Sequence, residues 1–148
     1  MLLSTEIAIS KVKDASGAGQ TGVNSDAVDM QGYEGVLFLV NAGAITSGGV
    51  QSINVAQSDD SGGSPDDYSD LLGSKVTIAD DDDNQLFFVE VKNPQKRYVR
   101  LEIARATQDS AFGPIYAFLY GAKIRPVNNN VANTITGEVH IGPAEGTA

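Results

Sequence analysis

Residues Val28–Gly62 read VDMQGYEGVLFLVNAGAITSGGVQSINVAQSDDSG. Val36–Val40 is apolar at every position, which predicts a strand buried on both faces or covered on one face by a partner. Asn41–Gly49 is rich in glycine and predicts a hairpin connection. Ile53 and Val55 then alternate with Ser52 and Asn54, the pattern of a half-buried strand. Ser58–Asp67, holding Gly62, Gly63 and Pro65, predicts a loop.

The same punctuation continues on either side. Ile7 and Ile9 alternate with polar neighbours as a first strand, and the Gly/Ser/Asn-rich Asp14–Asp26 predicts a long loop. Asp67 is placed to cap one short helical turn, Tyr68–Leu72, ended by Gly73. Val76 and Ile78 predict a strand, Asp80–Asn84 a tight acidic turn, and Leu86–Val91 another strand. Asn93–Pro94 marks a further turn. In Tyr98–Ala104, Val99, Leu101 and Ile103 point one way and Tyr98, Arg100 and Glu102 the other. Thr107–Gly113 predicts a loop before a last strand, Ile115–Ala122. About seven or eight short strands with turn signals between them predict an all-β fold, a single antiparallel β-sandwich of jelly-roll or Greek-key type.

The sandwich is expected to fill residues 1–126. After Pro126 the composition changes: Val127–Asn133 holds four asparagines and reads as an extended linker. Ile135, Gly137, Val139 and Ile141 then alternate with Thr134, Thr136, Glu138 and His140, one more strand pattern in a C-terminal arm spanning 127–148. The final GPAEGTA is expected to fray. Both the N-terminal arm, Met1–Ile9, and the strand pattern at Thr134–Ile141 look able to add to a neighbour's sheet edge, a contact made by main-chain hydrogen bonds.

Taken in order, the acidic strand before Gly32-Tyr33-Glu34-Gly35, the apolar strand, the glycine-rich hairpin, the strand ending in Ser58-Asp59-Asp60 and the later Lys96-Arg97-Tyr98-Val99-Arg100 resemble the head decoration (cement) proteins of tailed bacteriophages and their prophage relatives. The resemblance covers roughly Val28 to Pro126. It implies a structural virion protein that clamps neighbouring shell subunits from outside the capsid, with the major capsid protein as partner and often a homotrimer as the docked unit. It also implies synthesis in the bacterial host cytoplasm.

Bulk properties bound the same reading. The 148 residues suit one domain, large enough for a core without metals or disulfides. The chain has no cysteine, so thiolate zinc sites and cysteine nucleophiles are excluded, and a reducing compartment fits. The opening MLLSTEIAIS lacks a basic n-region and a long apolar core, so no signal peptide is expected. No apolar run approaches the ~20 residues of a membrane helix. A net charge of −9 disfavours nucleic acid and suits an outer capsid face, although it also serves plain solubility.

No catalytic constellation can be assembled, and the chain is expected not to be an enzyme. Asp80, Asp82 and Asn84 match the opening of a calcium loop, but Gln85 stands where glycine is needed and Val91 where glutamate is needed. The plainer reading is a solvated turn, so neither a metal nor another cofactor is expected. Asp59, Asp60, Asp66, Asp67 and Asp70 lie in a polar loop with no cleft to perturb them. His140, the only histidine, sits in the tail without a nucleophile motif nearby. Gly17–Gly22 lacks the lysine and preceding apolar strand of a phosphate loop.

What remains are candidate contact residues. Arg97 and Arg100, with Lys96, form the densest basic cluster, which either docks on an acidic shell or pairs with acidic neighbours at home. In the last strand Ile115, Ala117 and Leu119 fill one face, and Tyr116, Phe118 and Tyr120 the other. Those rings either lie under a covering loop or line a subunit contact. Ile135, Val139 and Ile141 complete the set. Rival readings are another virion part, in tail or neck, and a glycan-binding display module; the absence of tryptophan weighs against the latter.

Overall fold

The computed structural model describes residues 1–60, 67–131 and 133–147. A one-turn helix, α1 (Leu3–Glu6), precedes β1 (Ala8–Lys13), β2 (Ser16–Gly19), β3 (Val23–Asn24), β4 (Val28–Asp29), β5 (Gly35–Ile45) and β6 (Val50–Ser58). Then follow β7 (Ser69–Asp70), β8 (Val76–Ile78), β9 (Leu86–Lys92), β10 (Tyr98–Ala106) and β11 (Ser110–Tyr120). The first sheet runs β1-β11-β5-β9, with β2 also paired to β11. The second runs β3-β10-β6-β7, with β4 on β10 and β8 on β6.

All these pairings are antiparallel, and they nest. β6 pairs with β7 and β8, β5 with β9, β3 and β4 with β10, and β1 with β11. The chain is thus one long hairpin wound over itself so that successive nested pairings fall alternately in the two sheets, which makes the sandwich a jelly roll.

The core lies between the sheets and follows the two-residue period. Val36, Phe38 and Val40 of β5 and Ile115 and Ala117 of β11 face Ile53 and Val55 of β6 and Val99, Leu101 and Ile103 of β10; all are buried. The second sheet's edge holds together across a break between β3 and β4. There the buried Ser25 stands in for a strand residue: its N–H donates to the Leu101 carbonyl at 2.8 Å, and its Oγ accepts from the Leu101 N–H at 2.9 Å.

Several local expectations change. The expected 14–26 loop contains β2 and β3, because ladder bonds to β11 and β10 organise residues that lack an apolar period. β5 runs on to Ile45, and the connection shrinks to a turn closed by Gly49 N–H to Thr46 O, with Gly48 at φ +84°. The predicted helix at Tyr68–Leu72 is absent: Ser69 and Asp70 pair with Gln57 and Ala56 instead. A helix that short gains little on its own, whereas pairing completes the edge of β6. The Ser58–Asp67 loop lies largely outside the described residues, which take in Ser58, Asp59, Asp60 and Asp67 but not its glycines and Pro65.

The two chain ends meet. Ala8 and Ile9 of the expected N-terminal arm are already paired within the chain, opposite Leu119 and Phe118. Asn129 docks beside them: its Nδ2 donates to the carbonyls of Ser4 (2.7 Å) and Ile7 (2.9 Å), and its Oδ1 accepts from the Ile9 N–H (2.7 Å). The asparagine-rich linker therefore lies along the outer edge of β1. Beyond it the expected strand at Thr134–Ile141 does not form. A single bridge joins Val131 to Ile135, and no further β partner exists among the described residues. A strand pattern without an edge to bond cannot become a strand.

Candidate assembly surface

The outer face of the first sheet carries the structure's main candidate surface. The alternation expected along β11 buries Ile115, Ala117 and Leu119, and it turns Tyr116, Phe118 and Tyr120 to the opposite, outer face. Cross-strand register then builds apolar rows. One runs Lys11, Tyr116, Leu39, Phe88; the next runs Ile9, Phe118, Leu37, Glu90. Leu37, Leu39, Ile9 and Phe118 shield one another and are half-buried. The rows grow more exposed toward β9, where Leu86 is 56% and Phe88 60% exposed, against 38% for Tyr116. Among the described residues no segment pairs with β9 on its outer side.

Tyr120 differs from its two neighbours. Its ring lies over Gly35, and its hydroxyl bonds to Glu90. Partial burial, then the hydrogen bond and the negative charge of Glu90, push the phenol up to about 12. This residue closes one end of the face and is occupied within the fold.

Arg97 and Arg100 lie on the other sheet and are not part of this face. Arg97 forms a two-pronged pair with Asp29, at 2.9 and 2.8 Å, and its guanidinium sits 5.1 Å from the Tyr98 ring centre. That pairing holds the Asp29 carboxyl below its usual range. Arg100 donates to Glu102 at 2.7 Å, two residues on along the same strand face, and stacks on the Tyr68 ring at 3.9 Å. Lys96 reaches Asp59 at 3.4 Å. The basic cluster is thus engaged at home. In the tail, Ile135 is half-buried, while Val139 and Ile141 are 49% and 81% exposed. The candidate contact residues therefore fall in three separate places.

The acidic turn has a structural task. Asp83 accepts the Ile45 N–H at 2.6 Å, Asp82 the Ala79 N–H at 2.9 Å, and Asp80 the Gly48 N–H. These carboxylates cap backbone donors at the ends of β5 and β8 and in the turn between β5 and β6. Among the described residues no group of three or more His, Asp or Glu is placed to hold a metal ion. Asp70 accepts from Asn54 at 2.9 Å, and His140 contacts Glu138 at 3.1 Å. Asp66 lies outside the described residues.

Sequence reasoning missed three groups. Arg105 ties the two sheets together at one end, donating to the carbonyls of Thr21 (2.6 Å), Gly17 (2.8 Å) and Ser110 (2.7 Å). Asn129 and the open edge of β9 were also overlooked. Leu86-Phe87-Phe88 held the one available signal, an apolar run with no polar alternate to mark a solvent face.

No family model matches the chain, and no curated protein does. Among solved structures it is similar to the PBSX exported protein XepA, at 16% identity and a TM-score of 0.54, over 95% of this chain and 45% of that one. The chain thus spans a little under half of XepA, and the likeness is one of fold. A second structure, described as "CBM4 structure and function", aligns at 11% identity and a TM-score of 0.40, over 84% of this chain and 88% of that one, a score on which nothing further rests.

Proposed function

We propose that this protein is a phage structural component that decorates a capsid from outside and stabilises it by bridging neighbouring copies of the major capsid protein, docking as a homotrimer. The observation that carries the reading is the outward apolar face of the first sheet, on which Tyr116, Phe118, Leu39 and Phe88 form a continuous surface that no described segment of the chain covers. Exposed patches of this kind mark contact sites in soluble proteins. The ordered resemblance to decoration proteins supports the reading, as does a fold shared with a protein of PBSX, a prophage. A charge of −9 keeps such a protein away from packaged DNA. Many modest contacts repeated over a shell add up to firm attachment. No chemistry is required of it, and it is made in the host cytoplasm before it joins the particle.

The test is co-sedimentation of purified chain with phage heads assembled without it. Saturable binding at lattice positions, with heads that then resist heat or chelation better, supports the proposal. Heads that remain bare at micromolar chain overturn it.

A further inference from the structure

The edge of β9 and the C-terminal tail each leave strand-bonding groups unused among the described residues. Asn93 N–H bonds to Glu34 O and Ala42 N–H to Gln85 O, which fixes the phase of the β5·β9 ladder. In that phase Phe87, Val89 and Val91 point their backbone groups at β5, and Leu86, Phe88, Glu90 and Lys92 point theirs away. No strand takes up those outward groups among the described residues. Proteins usually blunt such an edge with charge, proline or a covering segment. Glu90 and Lys92 charge one half of this edge, but the other half carries Leu86 and Phe88, both exposed, beside a groove that also exposes Leu72 and is lined by Leu71, Val76 and Val91.

The tail has the reciprocal defect. Residues 136–141 alternate in the strand period, yet the Gly137 N–H, bonded to Asn130 Oδ1, is their one bonded backbone group among the described residues. Val139 and Ile141 hold their side chains in water. These six residues nearly match the seven of β9.

We propose that residues 136–141 of one copy add as a strand to the β9 edge of a second copy. Placement favours a neighbour over the chain's own edge. Asn129 pins the tail beside β1, at the edge of the first sheet opposite β9, and the Val131–Ile135 bridge draws residue 135 back toward residue 131, which leaves little chain to cross the sheet. A donor on one edge and an acceptor on the other form a head-to-tail contact, which closes into a ring of identical copies when the rotation permits. The trimer proposed above is such a ring. This inference rests on the reading that the chain works by self-association, and it names the contact.

The chain has no cysteine, so the contact can be probed directly. Full-length Phe88→Cys and Val139→Cys variants, prepared separately, are mixed under mild oxidation. A disulfide-linked heterodimer is expected, which neither variant gives alone with the other's wild-type partner. Light scattering is expected to give the wild-type chain a mass of several times 15.5 kDa, falling to one chain for Phe88→Lys and equally for Val139→Pro, with unchanged circular dichroism. The tail variant lies outside the sandwich and reports even if the edge variant misfolds. A wild-type monomer, an oligomer indifferent to both variants, or no disulfide-linked heterodimer in the oxidised mixture would overturn the proposal. Head binding is scored separately: a monomer that still coats heads sinks the strand exchange and the trimer but leaves the decoration role standing, and an exchanged oligomer that ignores heads sinks the decoration role alone.

Discussion

Gly35 leaves the space that Tyr120 fills. A Cβ built on Gly35 would lie 2.3 Å from the Tyr120 Cζ and hydroxyl oxygen, closer than real contacts allow. The two residues are direct cross-strand partners on β5 and β11, so the ring spans the neighbouring strand and reaches Glu90 beyond it.

Gly35→Ala should therefore push the ring off its site and destabilise the fold by about 1–3 kcal/mol, the range for overpacking. Thermal melting measures it. Adding Tyr120→Ser should recover much of the loss, because the two changes share one cause. Strictly additive losses would show that the steric account is wrong.

The same tyrosine predicts an alkaline transition. Its folded-state phenol, at about 12, lies above the ordinary 10.0, so the folded chain keeps a proton that the unfolded chain releases. The stability this gives is complete below pH 10 and is lost as pH rises toward 12. Tyr120→Phe should flatten that slope in denaturant titrations and remove the latest-titrating phenol from the tyrosinate absorbance curve.

Arg105 is predicted to matter more than any other arginine. Arg105→Ala removes three hydrogen bonds from a charged donor, the one to Ser110 part-buried, and should lose about 1.5–3 kcal/mol. Arg105→Lys should rescue little, since an ammonium cannot reproduce the planar fork. Arg97→Ala, whose ion pair is exposed, should lose under about 1 kcal/mol. Urea midpoints compare the three.

Ser25→Ala leaves the Leu101 N–H without its buried acceptor. The expected loss is about 1–3 kcal/mol. Hydrogen exchange should localise it, with the Leu101 amide losing protection before those of Val55 and Ile53.

The two-layer fold was legible because its long strands carry the two-residue period; Val99, Leu101 and Ile103, or Ile115, Ala117 and Leu119, need no further information. What was hidden depends on partners far away in sequence. β2 and β3 have no apolar rhythm and exist through ladder bonds to β11 and β10. Thr134–Ile141 has the rhythm and lacks a partner. Tyr116 and Phe118 were readable as an outward face from alternation alone. Arg97 and Arg100 stood out as charge, but that Asp29, Tyr68 and Glu102 occupy them is settled by register.

The nesting of the strands also orders events in time. The innermost pairing, β6 with β7 and β8, joins residues close in sequence, whereas the outermost sets Ala8 against Leu119. On the ribosome the earliest-made strand must therefore wait, unpartnered, until the last one has emerged. Closure over so long a span makes for slow folding, and during that wait the nascent chain is where a chaperone would find something to hold.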